Sequence, residues 1–153
     1  MKSASTRPGF SLIELMVVLI IGTILMTFAI PGYTRMTQAK HAQNARDNLV
    51  WMGARARAKA IERGQVWQLE IDPALERARV RRRGAAIAQD SVTFSSEFHS
   101  TVTTSTNALV TICYTPRGYA LTSCNANNVD VTFTHADKSA VARIKPLGQI
   151  ERL

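Results

Sequence analysis

An α+β chain is predicted, a long N-terminal helix followed by an antiparallel β-sheet head, and three observations in the 153-residue sequence predict it. The run Leu15 to Ile30 contains no charged residue. Small or apolar residues then recur every three or four positions, at Ala42, Ala45, Leu49, Met52, Ala56 and Ala60, which is the spacing of one helix face. From Trp67 the period drops to two: Trp67, Leu69 and Ile71 alternate with Gln68, Glu70 and Asp72, the pattern of a half-buried strand.

The elements follow in chain order. As a helix, the 21 residues from Phe10 to Ile30 rise about 1.5 Å each and cover the roughly 30 Å of a bilayer's hydrocarbon core. Lys2 and Arg7 precede them, so the positive-inside tendency leaves the N-terminus in the cytoplasm and sends the remainder across. Pro31-Gly32 removes a helical hydrogen bond and kinks the helix, which resumes at once, because Tyr33 to Arg63 holds no proline and is rich in alanine. Gly64 sits where a C-cap belongs, just past Arg63, whose charge suits the negative end of the helix dipole. Asp72-Pro73 supplies a turn into a second strand over Arg77 to Arg83. Further strands are expected at Ser91 to Ser95, Ala108 to Thr115, Tyr119 to Ser123, Val129 to Thr134, Ala140 to Ile144 and Gln149 to Arg152. Short connections make them pair antiparallel. The Ser- and Thr-rich stretch Ser95 to Asn107 reads as a loop or an edge.

The beginning of the chain carries the most specific signal. In Arg7-Pro8-Gly9-Phe10-Ser11-Leu12-Ile13-Glu14 a carboxylate stands at the mouth of an apolar span, where it is expensive and reads as functional. That arrangement resembles the class III signal of type IV prepilins and type II secretion pseudopilins. The resemblance implies that a prepilin peptidase cuts after Gly9 and methylates the new N-terminus at Phe10, leaving Glu14 as the fifth residue. A secretory signal has its cleavage site after the apolar region, whereas Gly9 precedes it, so the anchor is kept. The alternative is an ordinary single-pass anchor that happens to contain a glutamate.

The later motifs narrow the resemblance. Ile112-Cys113-Tyr114-Thr115-Pro116-Arg117-Gly118-Tyr119-Ala120 looks like the strand-turn-strand element of H-type pseudopilins and of FimT- and FimU-type minor pilins. Ala142-Arg143-Ile144-Lys145-Pro146-Leu147-Gly148-Gln149-Ile150 looks like their closing strand pair. The implied architecture is the pilin fold: leader 1–9, transmembrane helix 10–30, the rest of the stem helix 31–64, and a β-rich head 65–153. The implied function is that of a minor pilin in a type IV pilus, at the tip or in assembly priming. An H-type pseudopilin of type II secretion and a DNA-binding minor pilin of natural transformation are the alternatives. The implied location is the inner membrane with the head in the periplasm, and then the filament. The implied partners are other pilins, prepilin peptidase, the membrane and, in the transformation reading, DNA.

Several residues have a functional and a plain reading side by side. For Glu14, the functional reading is a salt bridge to the α-amine of Phe10 in a neighbouring subunit, which recovers part of the cost of a charge in lipid. Its alternative is a carboxylate solvated by headgroups. Gly22 and Pro31 mark either a segment that extends during assembly or a passive kink. Cys113 and Cys124 fall on the far side of the membrane, where a disulfide persists, and closing that loop is worth roughly 3 kcal/mol. Two reduced, buried thiols are the alternative.

The formal charge is +8, which invites an anionic partner. Arg77, Arg79, Arg81 and Arg83 share one strand face, leaving Ala78 and Val80 to the core and Arg82 at the fraying end. A solvated face, or one docked on an acidic neighbour, is preferred over DNA capture, because a basic run alone carries no base readout. Trp67 and Tyr119 are the stacking candidates. His41, His99 and His135 are scattered without metal-ligand spacing, and no nucleophile motif, phosphate loop or carboxylate pair emerges. No enzyme activity, metal or cofactor is expected.

Overall fold

The structure is a computed structural model that describes residues 10–125 and 127–153, with the side chains at 29 and 31 excepted. Gly9 and the leader 1–9 lie outside the described residues. Helix α1 spans Leu12–Arg63, and eight strands and one short helix follow. The chain divides into two compact units, a first one ending at Met36 and a second at Thr37–Leu153.

In the first unit α1 is exposed and apolar, and its most apolar window has a mean hydropathy of 2.5. By length and composition it is the one helix among the described residues able to cross a membrane. Two of its hydroxyls bond within the helix: Thr23 Oγ1 donates to Ile20 O at 2.8 Å and Thr27 Oγ1 to Thr23 O at 2.9 Å. Such internal bonding is what a lipid environment demands of polar groups. The helix is continuous across Pro31-Gly32, so the proline does not end it.

In the second unit the predicted stripe is the core face. Ala42, Ala45, Leu49, Met52, Ala56 and Ala60 are each at most 1 % exposed. Small side chains there let the strands approach the helix closely. The helix stops at Arg63, and Gly64, with φ of 61°, takes the left-handed cap that a side chain would strain.

The head is built from two four-stranded antiparallel sheets. β1 (Trp67–Asp72), β2 (Arg77–Arg82), β3 (Asp90–Thr93) and β5 (Val110–Tyr114) form one, in the order β3-β2-β1-β5. β4 (Thr101–Thr104), β6 (Val129–His135), β7 (Lys138–Ile144) and β8 (Ile150–Arg152) form the other, in the order β4-β6-β7-β8. Both sheets share one core with the α1 stripe, in which Leu69, Ile71, Val80, Ile112, Val131, Phe133 and Ile144 are buried. Asp72 makes the predicted turn, its Oδ1 accepting from Ala74 N at 3.1 Å and Leu75 N at 3.2 Å.

Two expectations change. The strand placed at Ser91 to Ser95 ends at Thr93, because Phe94 opens a second helix, α2 (Phe94–Phe98). Phe94 is fully buried, with its ring centre 5.0 Å from that of Phe133, and His99 closes the helix at φ 51°. The Ser- and Thr-rich stretch holds most of α2 and then β4, an edge strand of the second sheet as the edge reading expects, which buries Val102 and Thr104 and exposes Thr101 and Thr103. Finally, Tyr119 to Ser123 forms no strand. Only an isolated bridge joins Tyr114 to Ala120, after which the chain turns so that Cys124 returns to Cys113.

Candidate functional site

The N-terminal site rests on α1. Phe10 is 81 % exposed, just before the helix, and Glu14 lies in its first turn, where a carboxylate complements the positive end of the helix dipole. That contact gives Glu14 a local stabilising role beside the one implied for assembly. A Cβ built on Gly22 or Gly32 would meet nothing within 4 Å. Neither glycine is required by packing within this chain.

Cys113 and Cys124 form a disulfide with Cα atoms 5.9 Å apart. It ties the end of β5 to the turn after Ala120, and Leu121 N donates to Cys113 O at 2.8 Å alongside. The two motifs singled out in the second half of the chain meet beside it. The Tyr114 hydroxyl donates to Gly148 O at 2.8 Å, and a Cβ on Gly148 would come within 2.7 Å of both Tyr114 and Ala120. Burial pushes the Tyr114 hydroxyl up to about 12, against the pull of Arg57, so it stays a donor. Replacing both cysteines by serine is expected to cost about 3 kcal/mol, as the entropy of an open 11-residue loop returns to the unfolded chain. Urea unfolding of the detergent-solubilised chain measures it, and an unchanged midpoint would refute a structural role.

The arginine strand is not a free basic face. Ala78 and Val80 are buried as expected, but the face opposite is occupied by Glu70, only 3 % exposed and counted from its period-two position as an outward residue. Arg79 stands opposite Glu70 in the β1–β2 ladder, its Nε 3.0 Å from Oε2 as an ion pair that is not aligned as a hydrogen bond. Arg81 Nε donates to Glu70 Oε1 at 2.7 Å, and its second nitrogen also bonds that oxygen. Arg77 lies opposite Asp72. Arg82 and Arg83 are exposed, and Arg82 sits across from Trp67, on the other face of the strand from Arg79 and Arg81. Of the two aromatic candidates, Tyr119 is 46 % exposed whereas Trp67 is buried, with Lys59 over its ring.

The three histidines are not scattered. His41 on α1, His99 after α2 and His135 at the end of β6 come together, with ring centres 5.7 Å apart for His41 and His99 and 4.8 Å for His41 and His135. His135 Nδ1 pairs with the His99 carbonyl. No group of three or more His, Cys, Asp or Glu side chains among the described residues is placed to hold a metal ion. Elsewhere on the head, Asp130 accepts from Arg143 at 2.7 and 2.8 Å, which lowers the Asp130 carboxyl below its usual range.

Residues 5–30 match the family described as the prokaryotic N-terminal methylation motif. No curated protein is similar enough in sequence to count as a match. Among solved structures, the fold is similar to the type IV minor pilin FimU of Pseudomonas aeruginosa. The TM-score is 0.59 at 15% identity, covering 77% of this chain and 92% of that one. A second crystal form of FimU gives a TM-score of 0.55 at 15% identity, covering 72% and 91%. The chain thus joins a prokaryotic N-terminal methylation motif to a fold similar to that of a type IV minor pilin.

Proposed function

We propose that the chain is a minor pilin, a structural subunit cut after Gly9 by a prepilin peptidase and methylated at Phe10. It is stored in the inner membrane through residues 10–30 and inserted into a type IV pilus with its head, 65–153, on the periplasmic side. The observation that carries this reading is the continuity of the methylation motif at 5–30 with an apolar helix that runs on into a FimU-like fold. Glu14 sets axial register by pairing with the α-amine of Phe10 in a neighbour, and the unfilled surroundings of Gly22 and Gly32 leave room for close helix contact or local extension in the filament. A tip or priming position suits a subunit of this kind. The secretion pseudopilus remains the second setting, because the processing signal is the same in both. DNA capture by the strand face has less support, since Arg79 and Arg81 are both engaged by Glu70.

Glu14→Leu tests the reading. Cleavage and membrane insertion stay intact, because the span becomes more apolar and Gly9 is untouched. Incorporation into sheared filaments drops about tenfold, the consequence of losing as little as about 1.4 kcal/mol from a subunit contact. Wild-type-like incorporation would refute the register pair.

A further inference from the structure

Arg82, one of the two exposed arginines of the run, lies at a rim on the other face of β2 from the Glu70 cluster. A pocket of about 370 Å³ opens where α1 and the first sheet end, lined among others by Arg63, Gln65, Trp67, Arg82, Ile87 and Gln89. Strand register explains why Arg82 is there. Directly opposite Trp67, it shares the face of Trp67, Leu69 and Ile71, but β2 ends at that residue and the guanidinium is exposed instead of entering the core.

The charged groups at this rim are cations. Lys59 Nζ lies 5.2 Å from the centre of the Trp67 ring and donates to Gln89 Oε1 at 3.1 Å. Trp67 is 3 % exposed, and its Nε1 is buried without a hydrogen-bond partner. No carboxylate lines the pocket. Glu62 lies 3.7 Å from Arg63 Nε, but both side chains are mostly exposed and such a pair is weak, while Asp90 is held by Arg55 at 2.5 Å.

We propose that this pocket receives a carboxylate presented by a neighbouring filament subunit, with Arg63 and Arg82 supplying the charge and the Trp67 side chain part of the wall. The inference rests on the filament-subunit reading above. A nucleic acid needs cations repeated along its phosphates, whereas Arg55, Arg79 and Arg81 are engaged by Asp90 and Glu70, and of the run Arg77 to Arg83 only Arg82 and Arg83 are exposed. One recessed anion site beside Ile87, which is 82 % exposed, suits a single acidic side chain whose methylenes lie on the isoleucine.

Two measurements on the full chain in detergent and in cells test this. In a Trp51→Phe background Trp67 is the sole indole, and its fluorescence reports binding of the peptide acetyl-Gly-Glu-Gly-amide at fixed ionic strength. The glutamine analogue is expected to bind about tenfold more weakly, and Arg82→Gln to lose about as much, as the loss of a charged hydrogen bond implies. Equal binding of both peptides, or full affinity in Arg82→Gln, would overturn the pocket, as would an oligothymidylate that binds where the peptide does not. In cells, Arg82→Glu should be processed normally yet depleted from sheared filaments. Undiminished Arg82→Glu beside wild type in the filament refutes the pocket alone, whereas wild type missing from filaments refutes the subunit reading and the pocket with it.

Discussion

Gly9→Leu is expected to leave the chain uncut, with residues 1–9 still attached in the intact mass of the membrane fraction and essentially no mature form. A peptidase acting at the membrane surface has to fit the backbone at the junction into its site, and a branched side chain at position 9 fills the space that glycine leaves open. The effect does not stop at processing. Only cleavage exposes the α-amine of Phe10, so an uncut chain has neither a methylated N-terminus nor the cation that Glu14 is proposed to meet. Incorporation is therefore lost more completely than in Glu14→Leu, which is cut normally. The pair of variants separates the two steps: a chain shortened by the leader in spite of Gly9→Leu would remove the processing assignment, while leaving the fold of the head unaffected.

What was legible in the sequence is what short-range periodicity encodes. The stripe from Ala42 to Ala60 needs only the 3.6-residue repeat of one helix, and every member of it is buried. The strands at Trp67 to Asp72 and Val129 to His135 likewise announce themselves by alternation and a turn. The stretch around Phe94 was not legible, because its helix is imposed by one aromatic ring seated against Phe133, a residue far along the chain. Composition rich in serine and threonine favours no element strongly enough to oppose that. The same limit hid the histidine cluster, whose members are spread over positions 41 to 135 and meet only once both sheets have formed. It also hid the fate of the arginines. Period two places Glu70 outward, but only register places it between Arg79 and Arg81 and sets Arg82 across from Trp67. A basic run read along the chain therefore overstates the free charge, since two of its members share one carboxylate that the pattern takes for surface.

Replacing Arg79 and Arg81 together by glutamine is expected to destabilise the head by about 3 kcal/mol, the lower end of the cost of stranding one member of a buried ion pair. The asymmetry of exposure sets that figure. The side chain of Glu70 is 4 % exposed and those of Arg79 and Arg81 about 31 % and 29 %, so the carboxylate is the desolvated partner and the arginines are partly hydrated. Removing both cations leaves the buried Glu70 carboxylate with no opposite charge beside it. Either single change is milder, about 1–2 kcal/mol, because the remaining guanidinium still faces the carboxylate. Adding Glu70→Gln to the double variant should recover most of the loss, since the buried charge is then gone and its amide can bond the two new glutamines. Urea unfolding followed by near-ultraviolet circular dichroism reads all four variants, and a double variant as stable as wild type would show that Glu70 does not depend on these arginines. The ordering also decides how surface experiments are to be built. A filament or DNA defect in an Arg79 or Arg81 variant reports a weakened sheet, whereas Arg82, whose guanidinium has no ion pair among the described residues, changes the rim without disturbing the Glu70 cluster.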